Sequence, residues 1–291
     1  MGVVHLFGDV GAGARGRRVG EVAMRLRARG EQVSVLAATN PAAAQDAAQR
    51  AVDDGCERLI VVGGDGAVHL AVNAVADSAT VLGIIPVGSG NDTARALGLL
   101  DGALDDFIDR ALATSSRVDA LRSDHGWVAS VATLGFSGDV TDRAESLRRV
   151  PGSVRYTLAT LLQLPRLRSI DVELWVDHER IGADTTLLAV GTTAWFGGGM
   201  KICPGARPND GLLHAVSIGA VPRHRFLRLL PTVFSGRHVK RSEVATVAGR
   251  AALIDGPSDV MLWADGERLG PLPARIEIVP GALRVAGVEL D

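Results

Sequence analysis

The sequence predicts an α/β N-terminal domain, a parallel sheet flanked by helices, followed by a β-rich antiparallel C-terminal domain. Three observations carry this expectation. Short apolar runs alternate with helically spaced apolar residues through the first third of the chain. Two of those runs lead directly into glycine-rich turns, and beyond residue 118 the pattern changes to short runs of alternating polarity. A length of 291 residues suits two domains, at roughly 150 residues each.

Strands are expected at residues 3–7, 32–37, 58–62 and 81–85. Between them, Val19, Val22, Ala23 and Leu26 share one helical face that Gly30 ends; an Ala-rich helix follows Pro41; and Val68, Ala71, Val72 and Val75 mark a third helix. A βαβα rhythm of this kind builds a parallel sheet with helices on both faces. In the second half, Ile170, Val172, Leu174 and Val176 alternate with Asp171, Glu173, Trp175 and Asp177, the signature of a half-buried strand. Further strands are expected at 187–191, 212–218, 251–254, 260–263 and 275–279, with helices over 141–164 and 222–234. The boundary is placed at residue 120. Residues 1–120 are expected to form the α/β domain, residues 121–281 the β-rich second domain, and the tail from about 282 to 291 to return to the first.

With 47% hydrophobic and 22% charged residues the chain reads as globular, and its net charge of −2 gives no sign of a nucleic-acid partner. Cys56 and Cys203 fit no metal-ligand spacing and read as buried reduced thiols in a reducing compartment. No basic segment followed by an apolar core marks a signal peptide, and no apolar stretch reaches about 18 residues.

Two loops carry the chemistry. Gly63-Gly64-Asp65-Gly66 ends a buried strand and opens a helix. Glycines there let a ligand approach the backbone, and the amides and dipole at the helix start favour an anion. Asp65 repels phosphate unless a divalent cation lies between them. The plain alternative is a tight turn with Asp65 as the helix cap. After the next strand, Gly88-Ser89-Gly90-Asn91-Asp92 repeats the design, with Asp92 set to cap a helix through Ala96. Loops at the carboxyl ends of adjacent parallel strands share one crevice, where ligands bind.

The Gly-Gly-Asp-Gly element and the Pro-x-Gly-x-x-Asn-Asp loop that follows resemble the catalytic domain of bacterial diacylglycerol kinases and related lipid kinases. Gly197-Gly198-Gly199-Met200, Pro204-Gly205-Ala206, Asn209-Asp210-Gly211-Leu212 and Asp265-Gly266-Glu267 extend the resemblance over nearly the whole chain. It implies ATP and Mg²⁺ as cofactors and a membrane lipid as substrate. The turn containing Asp9, Gly11, Ala12 and Gly13 would contact phosphate, and Thr39 the nucleotide. Gly63, Gly64, Asp65, Gly66, Ala67 and His69 would form the phosphate loop, with Asp65 holding the catalytic Mg²⁺ through water. Gly88, Ser89, Asn91 and Asp92 would complete the nucleotide site, and Asp119 would join the polar network around the metal. Asp210 and the main-chain oxygens of Arg207 and Leu212 would hold a structural Mg²⁺. Glu267 would be the general base; on its own the Asp265-Gly266-Glu267 stretch reads as a solvated hairpin.

The chain departs from the family pattern at Asp9-Val10, where Asn-Pro is usual, at Ala67 for Thr, at His69 and Leu70 for Asn and Glu, and at Ser89 for Thr. Residues 222–241 carry Arg223, Arg225, Arg228, Arg237, Lys240 and Arg241 among apolar residues, with no acid. The 141–164 segment is similar, with Arg143, Arg148, Arg149 and Arg155. Both segments fit transient docking on an anionic membrane, or equally a core helix with a solvated basic face. The expected location is cytoplasmic, at the inner membrane face. A homodimer is left open, as is the identity of the lipid. Two rivals remain: a non-catalytic nucleotide- or lipid-binding homologue, and a kinase of a soluble substrate such as NAD. Against the second, this chain has no Asn-Glu pair of the kind that NAD kinases carry.

Overall fold

A computed structural model describes residues 3–8, 14–38, 40–147, 150, 152–181 and 184–290, without the side chains of 14, 15, 145 and 152–157. The first part is β1 (Val3–Gly8), α1 (Ala14–Ala28), β2 (Gln32–Leu36), α2 (Pro41–Asp53), β3 (Arg58–Gly63), α3 (Asp65–Val75) and β4 (Val81–Pro86). These four strands pair in parallel in the order β2-β1-β3-β4. The helices cover both faces because each presents one apolar stripe. Val19, Val22, Ala23 and Leu26 of α1 pack with Leu6, Ile60 and Ile85 on one face. Ala48 and Ala51 of α2 and Val68, Ala71, Val72 and Val75 of α3 pack with Leu59, Val61 and Ile84 on the other.

Two short helices, α4 (Asp92–Ala96) and α5 (Leu104–Leu112), lead to β5 (Ser115–Ser123), β6 (Gly126–Val128) and β7 (Val131–Gly135). The helix expected over 141–164 is two: α6 (Phe136–Ser146), which leaves β7 directly, and α7 (Gly152–Gln163). Then come β8 (Glu173–Val176), β9 (Glu179–Ile181), β10 (Thr185–Gly191), β11 (Trp195–Phe196), β12 (Met200–Lys201), β13 (Leu213–Gly219) and α8 (Arg223–Phe234). The chain ends in β14 (Val244–Gly249), β15 (Ala251–Asp255), β16 (Met261–Ala264), β17 (Glu267–Pro271) and β18 (Ala274–Ala286). An antiparallel sheet runs β14-β13-β10-β7-β16-β17, and its inner face packs on β8, β15 and β18 through Leu134, Leu188, Leu174, Ile254 and Ile276.

The two lobes share β5 and β18. β18 pairs with β15 and β5, then runs parallel to β4 at Arg284 and Val285, so one strand belongs to both lobes. Ala120 lies inside β5 rather than in a linker. The β5–β18 ladder changes register between Val279 and Leu283, and that irregularity marks where one lobe passes into the other. Among the described residues no helix is long and apolar enough to cross a membrane. Cys56 and Cys203 are both buried, and burial pushes the Cys203 thiol to about 12. His238 is buried and hydrogen-bonded through Nε2 to the Ile202 carbonyl at 3.0 Å.

Candidate active site

The carboxyl ends of β3 and β4 deliver the two loops side by side. A Cβ added to Gly88 would lie 2.5 Å from the Gly64 Cα, so the loops touch backbone to backbone and only glycine fits. Asn91 closes the second loop on itself: its Oδ1 accepts from the Gly88 amide at 3.0 Å and its Nδ2 donates to the Gly88 carbonyl at 2.9 Å. This expected nucleotide contact therefore spends its amide on holding its own loop, with a left-handed φ of 54° that Asn tolerates.

A cavity of about 580 Å³ lies between the lobes. Gly63, Gly64, Asp65, Gly66 and Ala67 line it from the first loop, and Gly88, Ser89 and Asp92 from the second. The far wall is Ser130, Val131, Phe196, Gly198, Asp265 and Glu267. Asp65 and Glu267, two hundred residues apart in the chain, thus face one cleft. A Cβ on Gly66 would lie 2.6 Å from Glu267 Oε1, which puts that carboxylate directly over the first glycine-rich loop. Asp9, Gly11, Ala12, Gly13 and Thr39 lie outside the described residues, as do Arg148 and Arg149.

Glu267 reaches its place through a two-residue hairpin. Ala264 pairs with Glu267, and the intervening Asp265 and Gly266 have φ of 51° and 90°. Positive φ at both central positions is the hairpin turn that Asp-Gly favours. The Asp265 side chain is buried, and its oxygens accept from the Ser130 and Ala129 amides, each at 3.0 Å. Asp265 escaped the sequence reading because these partners lie about 135 residues away; the Asp-Gly pair itself was the available signal.

Carboxylates gather here. Burial raises Asp65 to about 6, the negative charge of Asp92 adds to this, Asp265 contributes less, and the Thr93 amide opposes it from 3.4 Å. Asp92, expected to cap a helix, instead accepts from the Gly198 and Gly199 amides at 2.6 and 2.8 Å. Its pKa is raised by burial, against the pull of those amides. Asp65 and Asp92, two buried acids whose pKa values are raised chiefly by burial, fit a divalent cation in the cleft, with Asp65 lining the open volume.

His69, expected to touch the cofactor, does not line the cavity. Its Nδ1 meets Asp265 Oδ2 at 3.1 Å. Burial alone would lower its pKa, but the hydrogen bond to Asp265 and the charges of Asp265 and Glu267 raise it on balance.

Asp119 also stands off the cavity. Its two oxygens accept from the Gly211 and Gly281 amides, each at 2.8 Å, and its own amide donates to the Pro208 carbonyl at 2.8 Å. The carboxylate therefore pins the 208–211 turn to the irregular point of β18. Asp119→Ala strands two amides in a buried setting and is expected to destabilise the fold by about 2–4 kcal/mol, read from urea unfolding midpoints. A loss below about 0.5 kcal/mol would show that the clamp carries no weight.

In the loop expected to hold a structural cation, Asp210 Oδ1 accepts from the Leu212 amide at 3.0 Å and Oδ2 meets His214 Nε2 at 2.9 Å. Protein groups already engage both oxygens, so hydrogen bonds hold the turn from Arg207 to Leu212. Among the described residues, no three His, Cys, Asp or Glu side chains are grouped to hold a metal. A cation at Asp65 would complete its coordination with water and phosphate oxygens.

Comparison with known proteins identifies the family. Residues 6–122 match the Diacylglycerol kinase catalytic domain, and residues 129–287 match the YegS C-terminal NAD kinase beta sandwich-like domain. A Diacylglycerol kinase of Mycobacterium tuberculosis is 38% identical over 269 residues, covering 90% of this chain and 86% of that protein. A Citrobacter koseri protein named "Probable lipid kinase YegS-like" is 31% identical over 251 residues, covering 81% of each. A crystal structure of a diacylglycerol kinase from Bacillus anthracis superposes with a TM-score of 0.72 at 17% identity, over 98% of this chain and 95% of that one. The shared fold is what that likeness shows. By sequence, domain content and architecture, the chain is an enzyme of the diacylglycerol kinase and YegS lipid kinase family.

Proposed function

We propose that this enzyme transfers the terminal phosphoryl group of ATP to the hydroxyl of diacylglycerol or a related lipid, with Mg²⁺ in the cleft between its lobes. One observation supports the reading above all: the carboxylates of Asp65 and Glu267 line the same cavity, the latter against Gly66.

Phosphoryl transfer asks a protein mainly for positioning and charge neutralisation. The amides at the start of α3 would face a phosphate bound at that helix end, beside the contact of Gly64 with Gly88. Asp65 would hold the cation, which when bound would offset the charge on the phosphate oxygens. Glu267 takes the proton of the lipid hydroxyl as its oxygen bonds to phosphorus and the bond to the nucleoside diphosphate breaks. Val131 and Phe196 give the far wall an apolar surface that suits the lipid beside its reacting hydroxyl.

The approach to a bilayer is supported by the helical cap. Leu161 and Leu162 of α7 and Leu227 and Phe234 of α8 are exposed, while Phe226, Leu229 and Val233 face inward. Exposed apolar side chains beside Arg223, Arg225, Arg228 and Arg237 suit shallow docking on an anionic leaflet.

Incubation with γ-labelled ATP and a panel of alcohol lipids, in neutral and anionic vesicles, tests the proposal. Labelled diacylglycerol or a related lipid is expected, formed faster on anionic vesicles. No labelled lipid with any acceptor would overturn it.

A further inference from the structure

The helix that carries Asp65 into the cleft carries two more polar residues along the same face, one turn apart each: His69 and Asn73. Neither lines the cavity. Asn73 bridges to the other lobe: its Oδ1 accepts from the Trp127 amide at 2.8 Å, and its Nδ2 donates to the Trp127 carbonyl at 3.0 Å. That double bond to one backbone residue settles which end of the amide is which, because only the oxygen can accept from an N–H.

The Asn73 Nδ2 spends both hydrogens on carbonyls, those of Trp127 and of His69 itself, each at 3.0 Å. The His69 ring is fixed from its other side: a carboxylate oxygen accepts, so Nδ1 carries a proton and donates it to Asp265 Oδ2 at 3.1 Å. Asp265 is gripped from two lobes at once: by the His69 imidazole of the N-terminal lobe and by the Ala129 and Ser130 amides of the other. Its side chain is 1% exposed, so no water replaces a lost donor. Gly266 and Glu267 are the next two residues of the same tight turn.

We infer that His69 is a positioning residue, which ties the Glu267 hairpin to the helix bearing Asp65 through an Nδ1–H bond to Asp265. Donor-side and acceptor-side carboxylates sit on different lobes, and this bond sets the distance between them at its nearest fixed point. The inference rests on the reading of Glu267 as the base. It explains why a histidine can stand where related lipid kinases carry Asn: the nitrogen of an Asn amide is at the same branch distance from the backbone as imidazole Nδ1.

Two measurements on the full chain test it. The first needs no turnover: nitrogen shifts of the His69 imidazole by NMR should show a proton on Nδ1. A proton on Nε2 alone would overturn the inference. The second compares His69→Leu with His69→Asn on a lipid that the wild type phosphorylates. Misplacing a reacting group by about an ångström costs on the order of 100-fold. His69→Leu is thus expected to lose about 10- to 100-fold in kcat with the KM for ATP unchanged within about twofold. His69→Asn should recover most of that loss. Equal kcat in wild type and His69→Leu would overturn the inference, as would a parallel loss of ATP affinity or an Asn variant no better than Leu. A wild type that phosphorylates no lipid would sink the lipid-kinase reading instead, and the imidazole shifts would still decide whether His69 holds Asp265.

Discussion

Glu267→Gln is expected to lower lipid phosphorylation by about 100- to 10,000-fold, the usual worth of a positioned general base, while ATP still binds. The substitution keeps the shape of the side chain, so its place over Gly66 is kept. What goes is the capacity to accept a proton: a Gln amide cannot take one from an alcohol at neutral pH. Nucleotide affinity should change little, because the phosphate loop and the second loop are built without Glu267; their contact is the backbone approach of Gly64 to Gly88. Titration calorimetry for ATP and initial rates on the accepted lipid separate the two effects. Turnover within about threefold of wild type would remove Glu267 from the chemistry. A collapse of ATP binding would mean that the residue serves the nucleotide rather than the acceptor.

How much of this was legible in the sequence differs between the lobes, for physical reasons. The parallel strands are buried on both faces and so read as unbroken apolar runs, such as Arg58–Gly63; the helix over Val68 to Val75 buries every residue its spacing nominated. The antiparallel half was harder. β7, the strand on which β10 and β16 both pair, passed unmarked, because five residues before a helix carry too little pattern. β18 was cut short at Val279, since Pro280-Gly281 resembles a stop; in the fold it is the irregularity after which the strand resumes and joins β4. α5 was missed although Leu104, Ile108 and Ala111 are correctly spaced, their face being masked by Asp105, Asp106 and Asp109. Glycine-rich loops could be read because backbone geometry dictates their residues locally. The partners of Asp92, Asp119 and Asp265 could not. Each of these acids looked like a ligand or a turn, and each is held by donors whose nearness only the folded chain creates.

Asp65→Asn is expected to abolish turnover and, in the absence of cation and nucleotide, to make the protein more stable at neutral pH. The pKa of Asp65 in the fold is about 6, against 3.8 unperturbed, chiefly from burial and then from Asp92. A raised carboxyl pKa means that the folded state holds the proton more tightly than the unfolded one. Its stabilising contribution is therefore complete below about pH 4 and is lost as pH rises through about 6. Two units at about 1.4 kcal/mol each cap the loss at about 3 kcal/mol. Asn keeps an oxygen for the Thr93 amide and carries no charge, so it removes this pH dependence while preserving the local hydrogen bond. Melting curves in chelator should accordingly show the variant and wild type close together at pH 4.5 and the variant higher at pH 7.5. Adding Mg²⁺ and a non-hydrolysable ATP analogue should reverse the order, since only the wild-type carboxylate repays its burial by binding the cation. If the gap between the two proteins does not change with pH, Asp65 is not strained by its surroundings, and the case for a cation between the lobes loses its electrostatic ground.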